Sequence, residues 1–216
     1  MNPDETLDDL RLRLAPMVAD NAAFDGWSAK ALAATAAQSG TDADIIALAF
    51  DGGALAMIDA WFASIDADML AALPPERLGN MRTPGRITAL VEARLQIIAP
   101  HREALRRAQS VLAMPQNLVR AAKLGWRAAD VMWRAAGDTA TDLNHYSKRA
   151  TLGSIYAATM IFFVNDESEH WADTKAFFAR RLAGVARFEK AKARMTVNSD
   201  MHFNPARFIG RLRYRS

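Results

Sequence analysis

Apolar residues recur at three- and four-residue steps over most of the chain, the spacing that lays one stripe along an α-helix. Leu7, Leu10, Leu14 and Val18 mark a first helix over residues 5–19, with Asp8 and Asp9 near its positive N-terminal end. Ser28 can cap an alanine-rich helix that Gly40 ends, and Thr41 can cap a short third helix. Leu55, Ile58, Phe62, Ile65 and Met69 stripe a longer fourth. Leu73-Pro74-Pro75 then breaks the chain, and the segment to Arg82 reads as a linker. With Thr83 as N-cap and Pro84 at the first helical position, a helix opens through Ile87, Leu90, Val91, Leu95 and Ile98, and Pro100 closes it. Helices over 102–113, 117–136 and 144–164 follow, and Trp171, Phe178, Leu182 and Val185 stripe a last core helix. Along 117–136, Leu118, Ala122, Gly125, Ala129, Met132 and Ala136 share a mostly small face that a neighbouring helix can approach closely. Trp126 and Trp133 share a line of that helix, and at least one is expected in the core. Ala150, Gly153, Ser154 and Ala157 give the 144–164 helix a small-residue face of its own, suited to another helix of this chain or of a second subunit. No segment shows the two-residue period of a strand, so the pattern predicts an all-α bundle.

Composition narrows the class without changing this picture. With 216 residues, 51% hydrophobic and 24% charged, the chain can bury a substantial core and is neither disordered nor fibrous. A net charge of +3 does not by itself imply nucleic acid. The absence of cysteine excludes disulfides, a thiol nucleophile and cysteine-ligated metal. The acidic start MNPDETLDDL has neither a transit nor a signal pattern, and the longest apolar run, Ile155 to Val164, is far short of the ~20 residues of a spanning helix. These features lead us to expect a cytoplasmic protein, or a mature form, whose membrane contact is peripheral.

The order of helix, short turn, short helix and longer helix up to residue 73 outlines a helix-turn-helix unit and resembles the N-terminal part of TetR-type repressors. Its charges argue against DNA. Between Ala31 and Glu76 there is no Lys or Arg, whereas Asp42, Asp44, Asp51, Asp59, Asp66, Asp68 and Glu76 supply seven acids. A reading helix must approach phosphates, and that affinity comes from Lys and Arg. The expectation is a helix-turn-helix fold without its activity, with a TetR-type transcriptional regulator as the alternative.

The densest chemistry lies at the corner between the 117–136 and 144–164 helices. Gly137 stands where a left-handed C-terminal cap is needed, and Thr139 to Asp142 fits a capping box. The segment DVMWRAAGDTATDLNHYSKRATLGSIYAAT from Asp130 to Thr159, with Met114-Pro115-Gln116-Asn117 before it, resembles the ubiquinone-biosynthesis accessory proteins called coenzyme Q protein nine. A weaker likeness extends to Gly26-Trp27 and over Arg94 to Pro100. The resemblance implies a TetR-like all-helical bundle that has lost DNA binding and has no catalytic activity. It further implies an apolar cavity for an isoprenoid or quinone lipid, with no other cofactor, and a surface that docks the di-iron demethoxyubiquinone hydroxylase. Matched docking positions are Met132, Trp133, Asp142 and Tyr146, and His145 stands where better-known members place a tryptophan, replacing an aromatic anchor by a titratable one.

Cavity candidates are Leu90, Leu95, Ile98, Leu112, Leu152, Ile155 and Tyr156, although such stripes also describe plain core. From Arg187 to Ser216 eight basic residues face two acidic ones, a net +6. There ARFIGRLRYRS sets Phe208, Ile209 and Leu212 on one side, with Arg207, Arg211, Arg213 and Arg215 interleaved. A basic amphipathic helix of this kind suits an anionic bilayer interface, here the inner membrane, better than base stacking. Three regions result: a helix-turn-helix-like part at 1–73, a lipid-binding and partner-docking part at 83–190, and a membrane-associating tail at 191–216. A homodimer through the last two core helices is expected, as in TetR-like folds. Asp142-x-x-His145 and Glu167-x-x-His170 each resemble half of a di-iron carboxylate site, with Glu92 and Glu103 as the remaining ligands, which leaves an oxidase as the lesser alternative.

Overall fold

The computed structural model describes residues 5–139, 141 and 143–200, and it is helical throughout. Ten α-helices among these residues are α1 (Leu7–Asp25), α2 (Ala29–Ser39), α3 (Ala43–Ala49), α4 (Gly53–Ala72), α5 (Pro75–Gly79), α6 (Thr83–Ile98), α7 (Arg102–Leu112), α8 (Leu118–Ala135), α9 (Leu143–Phe163) and α10 (Ala172–Asp200). Local chemistry sets most of the boundaries. Thr6 and Asp9 form a reciprocal capping box at the start of α1, and the Asp42 carboxylate, not Thr41, caps α3 by accepting from the Asp44 N–H at 2.8 Å. Helix α1 runs past the expected end at Ala19, through Pro16, to Gly26, because Val18, Ala19 and Ala22 are all buried. The expected linker before α6 holds the short helix α5, whose Leu78 is buried.

The chain divides after Lys175 into two units. In the first, α4 is central and packs on α1, α6, α7 and α8, so the helix-turn-helix-like region and the later helices share one core. Trp61 of α4 is its largest buried side chain, 5.4 Å from the ring of Trp27, whose indole N–H donates to the Ala104 carbonyl at 3.1 Å. Helices α8 and α9 cross where Gly125 and Ala129 meet Gly153, whereas Ala150, Ser154 and Ala157 of the small face expected on α9 are exposed. A Cβ on Gly153 would stand 3.2 Å from the Gly125 carbonyl oxygen and 3.7 Å from Ala129 Cβ, so this crossing needs glycine. At Gly153 the partner of α9 is therefore α8 of the same chain. Two arginines of α7 finish α9: Arg102 donates to the carbonyls of Val164 (2.9 Å) and Asp166 (2.7 Å), and Arg106 to Val164 (3.2 Å). In the second unit the Arg181 guanidinium lies 4.9 Å from the Phe177 ring centre, and Phe188 is exposed. No single helix among the described residues is long and apolar enough to cross a membrane.

Candidate functional site

Helix α8 ends in a Schellman motif. Gly137 (φ +86°) and Asp138 donate backbone N–H groups to the carbonyls of Arg134 (2.9 Å) and Trp133 (3.0 Å). The motif delivers the Asp138 carboxylate to α9, where it accepts from Lys148 at 2.7 Å and Arg149 at 3.1 Å. Arg149, only 1% exposed, also pairs with Asp130 of α8 at 2.6 Å. Lys148 and Arg149 hold the Asp138 carboxyl below the usual carboxylate range. Burial pushes Asp130 the other way, and its bonds to Arg149 and Arg134 outweigh it. Arg86 closes the corner from α6, donating to the carbonyls of Ala136 (2.9 Å), Met81 (2.9 Å) and Gly79 (3.2 Å).

On this frame stands an aromatic surface. Trp133 is half-buried, its indole N–H donating to the Lys148 carbonyl at 3.1 Å while the Lys148 ammonium lies 5.3 Å from its ring centre. Tyr146 is 59% exposed, 5.1 Å from the His145 ring and 6.1 Å from Trp126. Met132, by contrast, is fully buried and cannot touch a partner; it supports the surface from beneath. Asp142 lies outside the described residues. Neither Trp126 nor Trp133 is core, because Leu124, Ala128, Ala129 and Met132 take the buried face of α8. The expectation that at least one of the two would be core is therefore not met, and Trp126 joins the surface.

Beside this corner α4, α6, α7, α8 and α9 line a half-open cavity of about 390 Å³. Leu105, Leu112, Leu124 and Met160 make its walls apolar, and Leu118 and Ile161 are exposed as well as lining it. Of the seven cavity residues expected from sequence, Leu112 and Tyr156 line it. Leu90, Leu95, Ile98, Leu152 and Ile155 are buried but do not line it, since they fill the core between helices. Sequence reasoning missed Arg94, which lines the cavity with no exposure at all, paired to Asp66 and donating from Nε to the Tyr156 hydroxyl at 2.8 Å. An arginine at a core position of the α6 stripe was the available signal.

Of the half-sites for iron, Asp142 lies outside the described residues. His170 is exposed on a turn with positive φ, 3.6 Å from Glu169, and no group of three or more metal-ligating side chains converges among the described residues. The membrane candidates Arg207, Phe208, Ile209, Arg211, Leu212, Arg213 and Arg215 lie outside the described residues.

Comparison with known proteins falls on the same elements. Residues 118–189, from the start of α8 into α10, match the COQ9 family model. "Ubiquinone biosynthesis protein COQ9, mitochondrial" of Bos taurus is 28% identical over 186 residues, 83% of this chain and 58% of the relative. The Xenopus tropicalis protein of that name is 30% identical over 165 residues, 73% of this chain and 52% of the relative. The Rattus norvegicus one is 39% identical over 92 residues, 43% of this chain and 30% of the relative. At best, then, the chain spans about half the length of these relatives. Among solved structures, a TetR transcriptional regulator from Nitrosomonas europaea matches with a TM-score of 0.66 and 26% identity, covering 82% of this chain and 98% of that one. The chain is thus a relative of the COQ9 ubiquinone-biosynthesis proteins, carrying the family's segment at residues 118–189 on a TetR-like all-helical fold.

Proposed function

We propose that this protein acts in ubiquinone biosynthesis as a non-catalytic accessory protein that holds an isoprenoid quinone intermediate and presents it to the di-iron demethoxyubiquinone hydroxylase. The observation that carries this reading is the apolar cavity of about 390 Å³, walled by the same α8–α9 pair that bears the family segment and the exposed aromatic surface. Its volume and apolar walls suit part of a lipid tail, with the remainder leaving past Leu118 and Ile161. Trp133, His145 and Tyr146, joined by Trp126, offer aromatic anchors of the kind that dominate docking energies. Asp142 completes the docking set, and the basic tail brings the protein to the inner membrane. A homodimer completes the reading.

Two measurements test it. Native mass spectrometry of the purified protein should show bound quinone or isoprenoid lipid. In a pull-down with the hydroxylase, Tyr146→Ala should weaken capture roughly tenfold, the loss typical of an interface anchor. Lipid-free protein and unchanged capture together would defeat the proposal. The TetR regulator in the comparisons favours a second reading, DNA binding. The acids of α3 and the lack of Lys or Arg between Ala31 and Glu76 oppose it, and duplex binding at low salt would reinstate it.

A further inference from the structure

Two hydrogen-bond donors on the lining of the apolar cavity lack acceptors. Gln109 of α7 lines the cavity, and its buried Nε2 has no hydrogen-bond partner. Tyr156 of α9, 5% exposed, accepts from Arg94 Nε at 2.8 Å, and its own proton has no acceptor among the described residues. Burial pushes the Tyr156 phenol up, so that proton stays in place at neutral pH. Unsatisfied buried donors are unfavourable, and an oxygen brought in by a ligand would relieve them.

The surrounding charges decide what kind of oxygen fits. Arg94 is matched by Asp66, Asp66 also lies 3.5 Å from Arg127, and Arg127 in turn pairs with Asp59 at 2.7 Å. Each buried cation at this end therefore already has its carboxylate. A carboxylate on the ligand would lose its hydration and find no unmatched cation, whereas a neutral carbonyl needs only the two donors.

We propose that Gln109 and Tyr156 form a polar end to the cavity that selects a neutral lipid carrying a carbonyl-type acceptor oxygen on the end that enters first. The inference rests on the lipid-binding reading and adds an orientation, with the oxygenated end inside and the apolar tail toward Leu118 and Ile161. Hydrocarbons fill the same walls but leave both donors unsatisfied.

Three probes with one tail separate the possibilities: farnesylacetone, a neutral ketone; farnesene, a hydrocarbon; and farnesoic acid, a carboxylate at pH 8. Titrated against the full chain by displacement of a bound fluorescent fatty-alcohol dye, the ketone should bind roughly tenfold tighter than the hydrocarbon, as one neutral hydrogen bond predicts. The acid should bind no tighter than the hydrocarbon. Gln109→Leu keeps the side chain's bulk and should cut the ketone's advantage over the hydrocarbon to the share that Tyr156 alone supplies, while leaving farnesene unchanged. An intact ketone preference in Gln109→Leu, an equal loss for both probes, or tightest binding by the acid overturns the inference. Failure of ketone and hydrocarbon alike to bind wild type overturns the lipid reading beneath it. The wild-type comparison needs no variant, so it stands even where a substitution disturbs folding.

Discussion

Single side chains anchor this fold where helix ends would otherwise leave polar groups unpaired, and Asp166 shows it most clearly. Its carboxylate accepts the backbone N–H groups of Ser168 and Thr174, each at 2.8 Å, and both hydroxyls as well. Burial pushes the group up, but those four bonds outweigh it and bring it from 3.8 to about 2. A carboxyl with a depressed folded pKa contributes stability that is complete above its unfolded value and lost as pH falls through the folded one. Stability should therefore decline between about pH 4 and pH 2. In Asp166→Asn that part of the decline should vanish, with a loss of about 1–2 kcal/mol at neutral pH, measurable by urea unfolding across pH. Arg149 is the counterpart at the corner. Replacing it by Ala leaves Asp138 to Lys148 alone and Asp130 to the exposed Arg134, and the expected destabilisation is about 2 kcal/mol in chemical denaturation. Arg149→Lys should recover little, since a single ammonium cannot reach both carboxylates in the planar geometry of guanidinium.

Among the elements, the α8–α9 pair concentrates both the fold's tightest crossing and its exposed aromatics. The Gly125–Gly153 contact admits no Cβ without moving a backbone carbonyl, so Gly153→Val should separate the helices. A loss of about 2 kcal/mol is expected, together with weaker lipid retention, because Gly125 also lines the cavity. Thermal melts and native mass spectrometry of the variant check both. Part of this pair was legible in the sequence: the close approach at Gly125 and Gly153 and the left-handed glycine at 137 both depend on local chemistry that spacing reports. The ionic corner was not, since Asp130, Asp138, Lys148 and Arg149 meet only after the chain turns back on itself. Periodicity likewise placed Ala129, Met132 and Ala136 on the packed face of α8 without saying that this face would leave both Trp126 and Trp133 outside the core. The same reason limits the cavity: an apolar stripe reports burial, so five of the seven expected lining residues are core, and a void depends on how neighbouring helices fail to fill space.

For the molecule as a whole, the proposed function requires a route to a membrane lipid. No single described helix is long and apolar enough to cross a bilayer. The charge is distributed to suit that contact, with the helix-turn-helix-like region acidic and the last thirty residues at net +6 against +3 for the entire chain. Attraction of basic side chains to an anionic leaflet adds about 1 kcal/mol each and is screened by salt, while an inserted apolar face is salt-independent. The two contributions can be separated by flotation with liposomes. Binding to vesicles containing anionic lipid should fall steeply between about 100 mM and about 1 M salt, over which the Debye length shrinks from about 10 to about 3 Å. Replacing Phe208 and Leu212 by Ser should remove the remainder that persists at high salt. Flotation of this double variant equal to wild type at every salt concentration would show that the tail's apolar residues do not enter the bilayer, and the delivery route would then lie elsewhere on the surface.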